Sequence, residues 1–176
     1  AVSENVQFAL DGATLHIPKD QLLQRWLSTQ LDTCNRAPHQ PAYEMIAPRI
    51  GERWNGQGGV YVGIIGGENG APDYHLIRAT DEHEIVGANW QAAGEQAKKS
   101  IEGFTDWSLP DRREARLIYI NASAGFDKDA WYWTSTQDAA DGSYAWLQYF
   151  INGNQDDGHK TYEGRARAVR RILITD

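Results

Sequence analysis

Two adjacent aspartates, Asp156 and Asp157, stand in a polar run with Asn152, Asn154, His159 and Thr161, and their carboxylates are the chain's clearest candidates for acid–base or calcium chemistry. A catalytic pair must converge on one reacting atom, which neighbouring residues in a turn seldom do, so a solvated loop is the simpler expectation. Ser135, inside Thr134-Ser135-Thr136, has neither a GxSxG elbow nor an identifiable base. The histidines His16, His39, His75, His83 and His159 are scattered, without the HxH or HxxxH spacing of a metal site. Cys34 is the only cysteine, which excludes an internal disulfide and a cysteine-based zinc site. The glycines around Gly66 and Gly67 match no phosphate-loop pattern. These residues point away from an enzyme, and neither a metal nor a cofactor is expected.

What the residue types favour is binding. From Trp131 to Arg171 large aromatics alternate with small polar residues, so the segment offers contact area and hydrogen bonds without a nucleophile. The net charge of −7 argues against a nucleic-acid partner, which requires lysines and arginines to displace counterions from phosphates. The one C-terminal basic cluster, Arg165, Arg167, Arg170 and Arg171, lies in a strand-like run whose alternation sends arginines to both faces; structural ion pairs are expected there. No apolar run is long enough to span a bilayer, so no membrane insertion is expected. The N-terminus lacks a basic-then-apolar signal, which implies cytoplasmic synthesis and another route for any placement on a virion or cell surface.

With 176 residues, 41% of them hydrophobic and 23% charged, the chain suits one packed domain with a small extension. Val6–Leu10 and Thr14–Ile17 alternate around Asp11-Gly12, which predicts a hairpin. Leu22, Leu23, Trp26, Leu27 and Leu31 have helical spacing, which predicts a helix over Gln21–Leu31. Cys34 to Pro48 reads as a proline-containing linker. The expected organisation is therefore an N-terminal segment, residues 1–48, and a main domain, residues 49–176.

In the main domain Gly58–Ile65 and Tyr74–Ala79 read as a hairpin around Gly66–Gly70. One helix is expected over Ala88–Lys99, with Trp90, Ala93 and Ala97 on one face. A second starts near Leu109-Pro110-Asp111, with acidic residues in its first turn and Leu117, Ile118 and Tyr119 meeting the core. Three strands complete the chain: Trp131–Thr136, Tyr144–Ile151 and Ala166–Ile174.

Taken in order, Gly51-Glu-x-Trp-x-Gly-Gln-Gly-Gly-Val-Tyr61, Pro72-Asp-Tyr-His-Leu-Ile77, Trp90, Trp107-Ser-Leu-Pro-Asp-Arg-Arg-Glu114, Trp131-Tyr-Trp-Thr-Ser-Thr136, Ala145-Trp-x-Gln-x-Phe-x-x-Gly153 and Arg165-Ala-Arg-Ala-Val-Arg170 form a pattern. It resembles the DUF1566 family in its phage and prophage form, over roughly Ile50 to Ile172. The resemblance implies an α+β domain with a C-type-lectin-like fold, of the formylglycine-generating-enzyme branch. In that fold two helices flank a twisted, mostly antiparallel sheet, and loops at one end bind ligand. The paired cysteines of the enzymatic relatives are absent, as are the Glu-Pro-Asn or Gln-Pro-Asp and Trp-Asn-Asp motifs of calcium-dependent lectins. The fold also includes variable proteins diversified by retroelements that mutate adenines. Ile151, Asn152, Asn154, Asp156, Asp157, Gly158, His159 and Thr161 all belong to the residue set that such mutation produces.

Strand alternation puts Trp146, Gln148 and Phe150 on one face and Leu147, Tyr149 and Ile151 on the other. Because the family pattern retains the first set, it is expected inward and the second outward. The expected ligand-binding residues are Tyr144, Leu147, Tyr149, Ile151, Asn152, Asn154, Asp156, Asp157, His159 and Thr161, and the expected partner is a protein or surface glycan. The alternative is a structural module of a phage or surface assembly, in which the same apolar row joins subunits of a homo-oligomer.

Overall fold

The computed structural model describes residues 5–10, 13–19, 21, 23–24 and 46–175. The chain divides into two compact units, Ala1–Ile46 and Ala47–Asp176. In the first, β1 (Asn5–Leu10) and β2 (Ala13–Pro18) form an antiparallel hairpin in which Val6 faces Ile17 and Leu10 faces Ala13. Lys19, Gln21, Leu23 and Gln24 are helical; the remainder of the expected helix to Leu31, Cys34 and nearly all of the expected linker lie outside the described residues.

The second unit is mixed α/β, mainly β, with mostly antiparallel sheets and, among the described residues, two helices. Its elements are β3 (Arg53–Trp54), β4 (Gly59–Ile65), β5 (Tyr74–Arg78), β6 (Ile85–Ala88), α1 (Trp90–Ala97), α2 (Arg112–Asn121), β7 (Trp131–Gln137), β8 (Tyr144–Tyr149), β9 (Gln155–His159), β10 (Gly164–Ala166) and β11 (Val169–Leu173). In place of the single sheet expected there are two, a four-stranded sheet ordered β11-β5-β4-β3 and a five-stranded sheet ordered β6-β10-β7-β8-β9. All pairings are antiparallel except β10 with β7. The C-terminal strand read from sequence as continuous is thus two strands, and the chain changes sheets at Arg167-Ala168. No helix among the described residues is long and apolar enough to cross a membrane.

Local chemistry explains the elements. β4 and β5 approach closely at the end away from their turn: a Cβ on Gly59 would lie 2.3 Å from the Arg78 carbonyl oxygen, so only glycine permits that approach. Helix α2 begins with a capping box, in which the Asp111 carboxylate accepts from the Glu114 amide at 2.8 Å and the Glu114 carboxylate accepts from the Asp111 amide at 2.7 Å. Helix α1 starts at Asn89, whose side chain accepts from the Ala92 amide.

Packing then joins the layers. Helix α2 lies against β4 of one sheet and against β7 and β8 of the other, and α1 covers β6, β10 and β7. One core cluster contains Trp54, Tyr61, Ile77, Trp107, Trp133, Ala145 and Leu147, and a second contains Val62, Leu76, Ile118, Phe126, Tyr132 and Phe150. Glu114 is fully buried, yet both its oxygens are paired with Arg171 at 2.6 and 2.5 Å, and one also accepts from the Tyr74 hydroxyl at 2.9 Å. Burial and the Glu114 charge push the Tyr74 phenol up to about 12.

The C-terminal arginines form the expected ion pairs. Arg165 bonds Glu84 and Asp127, Arg167 bonds Asp81 and Glu84, Arg170 bonds Asp106, and Arg171 bonds Glu114. Arg167 and Arg78 also donate to the carbonyls of Gly125 and Ala124 and lie over the Phe126 ring at 4.1 and 5.4 Å. Guanidinium groups therefore pin the loop after α2 to the crossing point between the sheets.

Candidate functional site

The expected binding residues lie on β8, on β9 and in the connections beside them. Among them Leu147 requires correction: only 3% of its surface is exposed, and it belongs to the core with Trp133. The reason is that β8 is covered on both sides. Ala145 and Leu147 pack into the first core cluster, while Phe150, beyond the strand's end, packs into the second beneath Tyr132 and Phe126. Gln148 is fully buried as expected, but Trp146 is only half-buried, its ring lying 3.4 Å from the Arg112 guanidinium carbon. The outward row of Leu147, Tyr149 and Ile151 is therefore not a row. Tyr149 is half-buried in a parallel stack with Trp131, at 4.7 Å between centroids, and Ile151 is exposed in the turn after β8.

Residues 155–159, read as loop, form β9 and pair with β8 in the register Gln155–Gln148, Asp156–Leu147, Asp157–Trp146 and His159–Tyr144. The register places Asp156 and Asp157 on opposite faces, so the two carboxylates do not converge. Tyr144 meets His159 edge to face at 5.3 Å, and His159 Nδ1 lies 2.8 Å from the Thr161 hydroxyl. On the α2 side of the sheet are Tyr144, Asp157 and His159; on the other are Tyr149 and Asp156. Ile151, Asn152 and Asn154 occupy the turn between. The structure thus brings the candidates to one end of the domain but distributes them over two faces and a turn.

The turn is rigidly founded. Gly153 adopts φ +79°, and a Cβ there would fall 2.4 Å from the Tyr119 ring, so the turn seats directly on α2. Tyr149 donates its amide to the Asn154 carbonyl at 2.8 Å, and the Asn152 side chain accepts from the Asn154 amide at 3.0 Å. The next loop is held by Lys160, whose ammonium bonds Gln137 Oε1 at 2.6 Å and the Gly142 carbonyl at 2.7 Å while lying 4.1 Å from the Trp90 centroid. Ile151, Asn152, Asn154, Asp156, Asp157, His159 and Thr161 are exposed on this support.

Sequence reasoning did not select the second feature of this end. An open groove of about 520 Å³ runs between α2 and the sheet, lined by Asp111, Arg112, Arg113, Arg116, Thr136 and Gln155. Arg112 is preorganised there: its Nε donates to Gln155 Oε1 at 3.2 Å, the Gln155 amide donates back to the Arg112 carbonyl at 2.8 Å, and Trp146 supports the guanidinium from below. Arg113 turns to Glu68, whereas Arg116 is exposed and its side chain has no hydrogen-bond or ion-pair partner among the described residues. The signal was present as Arg112 and Arg116 at i and i+4 on one helical face.

No curated protein matches the chain. A family model does: residues 69–170, from the β4–β5 turn to β11, match the model described as the Lcl C-terminal domain. That span is more than half of the chain and includes both helices, β7, β8, β9, β10 and the start of β11 as far as Arg170. The chain therefore belongs to the Lcl C-terminal domain family.

Proposed function

We propose that the protein is a non-enzymatic, adhesion-type ligand-binding domain, phage or prophage encoded, with a C-type-lectin-like fold that presents the β8–β9 end to a protein or surface glycan. One observation carries this reading. Seven candidate residues from Ile151 to Thr161 are exposed together, while the groups beneath them, Gly153 on Tyr119, Gln148 on Gln155 and Leu147 in the core, are held fast. An adaptable surface on a rigid base suits recognition, in which ordering a loose surface would reduce affinity. The same separation supports diversification by a retroelement, because exchanging exposed residues leaves the core intact. Tyr162 and Glu163 are exposed as well, and they mark the far boundary of the surface.

Tyr149 and Ile151 are the anchors of this reading, since a stacked tyrosine and an exposed isoleucine supply apolar contact beside polar neighbours. The test is binding of the wild type and of the Tyr149→Ala and Ile151→Ala variants to a glycan array and to a panel of immobilised surface proteins. A ligand bound by the wild type and lost by both variants supports the surface. Ligands retained equally by both would place recognition elsewhere.

The exposed Ile50 and Ile64 favour one second reading, a structural module that assembles through the four-stranded side of the domain. Light scattering separates the two: a stable oligomer dissociated by Ile64→Asp would favour assembly.

A further inference from the structure

The outer edge of β9 borders the arginine groove, because Gln155 belongs to this end strand and also lines the groove. In the β8–β9 ladder the Tyr149 amide bonds the Asn154 carbonyl and the Lys160 amide bonds the Ser143 carbonyl. Antiparallel pairs alternate, so Leu147–Asp156 and Ala145–Gly158 are the bonded pairs between them, and Gln155, Asp157 and His159 turn their main-chain groups away from β8. Among the described residues β9 is the terminal strand of its sheet. Among the described residues the Asp157 amide has only the neighbouring Asp156 carboxylate at 3.0 Å, where an added strand would supply a carbonyl. The side chains of the two outward-directed residues Gln155 and Asp157 share the α2 face, with Arg112 bonded to Gln155 and Arg116 unpaired in the same groove.

We propose that this edge and groove form a strand-addition site for an extended peptide segment of a partner protein. The segment carries an acidic side chain, which lies over Gln155 toward Arg112 and Arg116, and a basic side chain two residues away, which meets Asp157. Main-chain pairing supplies affinity and the alternate side chains supply selectivity. The carboxylate suits a guanidinium held flat on Trp146, because the free Nη atoms of Arg112 present a planar fork. Of the other two charges lining the groove, the Asp111 carboxylate is engaged by the helix cap and Arg113 is paired with Glu68. A polyanion without a peptide backbone would satisfy the arginines but not the strand edge, and Asp157 would repel it.

The site lies on the sheet face opposite the Trp131–Tyr149 stack; it shares Asp157 with the surface proposed above but does not use the Tyr149 and Ile151 anchors. The probe is a short fluorescein-labelled peptide of threonine and valine with one glutamate and one lysine two positions apart, titrated with the full chain and followed by anisotropy. Arg116→Glu, at an exposed and unpaired residue, is expected to weaken binding on the order of tenfold or more. N-methylation of the peptide amides that face β9 should abolish binding, whereas methylation of the alternate amides should not; Tyr149→Ala should leave it unchanged. Absence of binding, binding indifferent to Arg116→Glu, or retention by both methylated peptides with equal competition by dextran sulfate would overturn the proposal.

Discussion

In the Arg167 cluster every charge answers to several partners. Arg167 meets Asp81, Glu84 and the Gly125 carbonyl, Glu84 also meets Arg165 and Tyr132, and Arg167 is 2% exposed. Beside the β9 edge the same residue types stand alone: the Asp157 carboxylate is exposed, and the side chains of Asp157 and Arg116 have no partner among the described residues. Charges taken from water must be paired and so become scaffold, whereas charges left in water keep their hydrogen-bonding capacity for another molecule. Partner number and burial, rather than residue type, therefore separate the arginines that hold the fold from those available to a ligand.

The comparison is tested hardest at Glu114, the fully buried carboxylate that links α2 to β11 through Arg171. Removing one member of such a pair strands the other, so Glu114→Ala should lower unfolding free energy by about 3–5 kcal/mol in urea denaturation. A loss below about 1 kcal/mol would mean that the inner charges are no more structural than typical exposed pairs.

Leu147 and Ile151 sharpen the same contrast with apolar side chains. Leu147→Ala should cost about 2–5 kcal/mol by leaving a cavity beside Trp133, whereas Ile151→Ala, on an exposed turn, should stay within about 0.5 kcal/mol. Equal effects from the two would contradict the assignment of one to the core and the other to the surface. Gly153→Ala comes next, at about 1–3 kcal/mol, because alanine meets both a positive φ and the Tyr119 ring. Calorimetry of the Gly153→Ala, Tyr119→Ala double variant divides that cost, since removing the ring should recover only the part due to the clash.

These positions also show what the sequence made legible. The acidic start of α2, the Gly58–Ala79 hairpin and the ion-paired arginines were readable because each rests on local chemistry: a cap, a turn, an alternation. The faces of β8 were not. Alternation identifies two sets of side chains but says nothing of how many sides are covered, and here packing reaches both. β9 was hidden by composition, since Asp156, Asp157 and Gly158 disfavour strands in isolation and pair only because β8 presents a complementary ladder. Of the candidate site, the exposed polar residues were found through their polarity and Ile151 through alternation, while Arg112 and Arg116 were missed and Trp146 was expected inward, because the juxtaposition of these three depends on α2 crossing the sheet.

The smallest stability effect is expected at Asp157, and that expectation is the informative one. Its carboxylate is exposed on a terminal strand, so Asp157→Ala should change unfolding free energy by no more than about 0.5 kcal/mol. A charge on a sheet edge does other work, because it discourages the unpaired main-chain groups from capturing another strand. Asp157→Ala should therefore unfold at nearly the wild-type urea concentration yet self-associate more readily in light scattering, and Asp157→Asn should behave in the same way. If the variant instead lost stability as Glu114→Ala does, Asp157 would belong with the scaffold charges, and the division between the Arg167 cluster and the β9 edge would fail at its most exposed member.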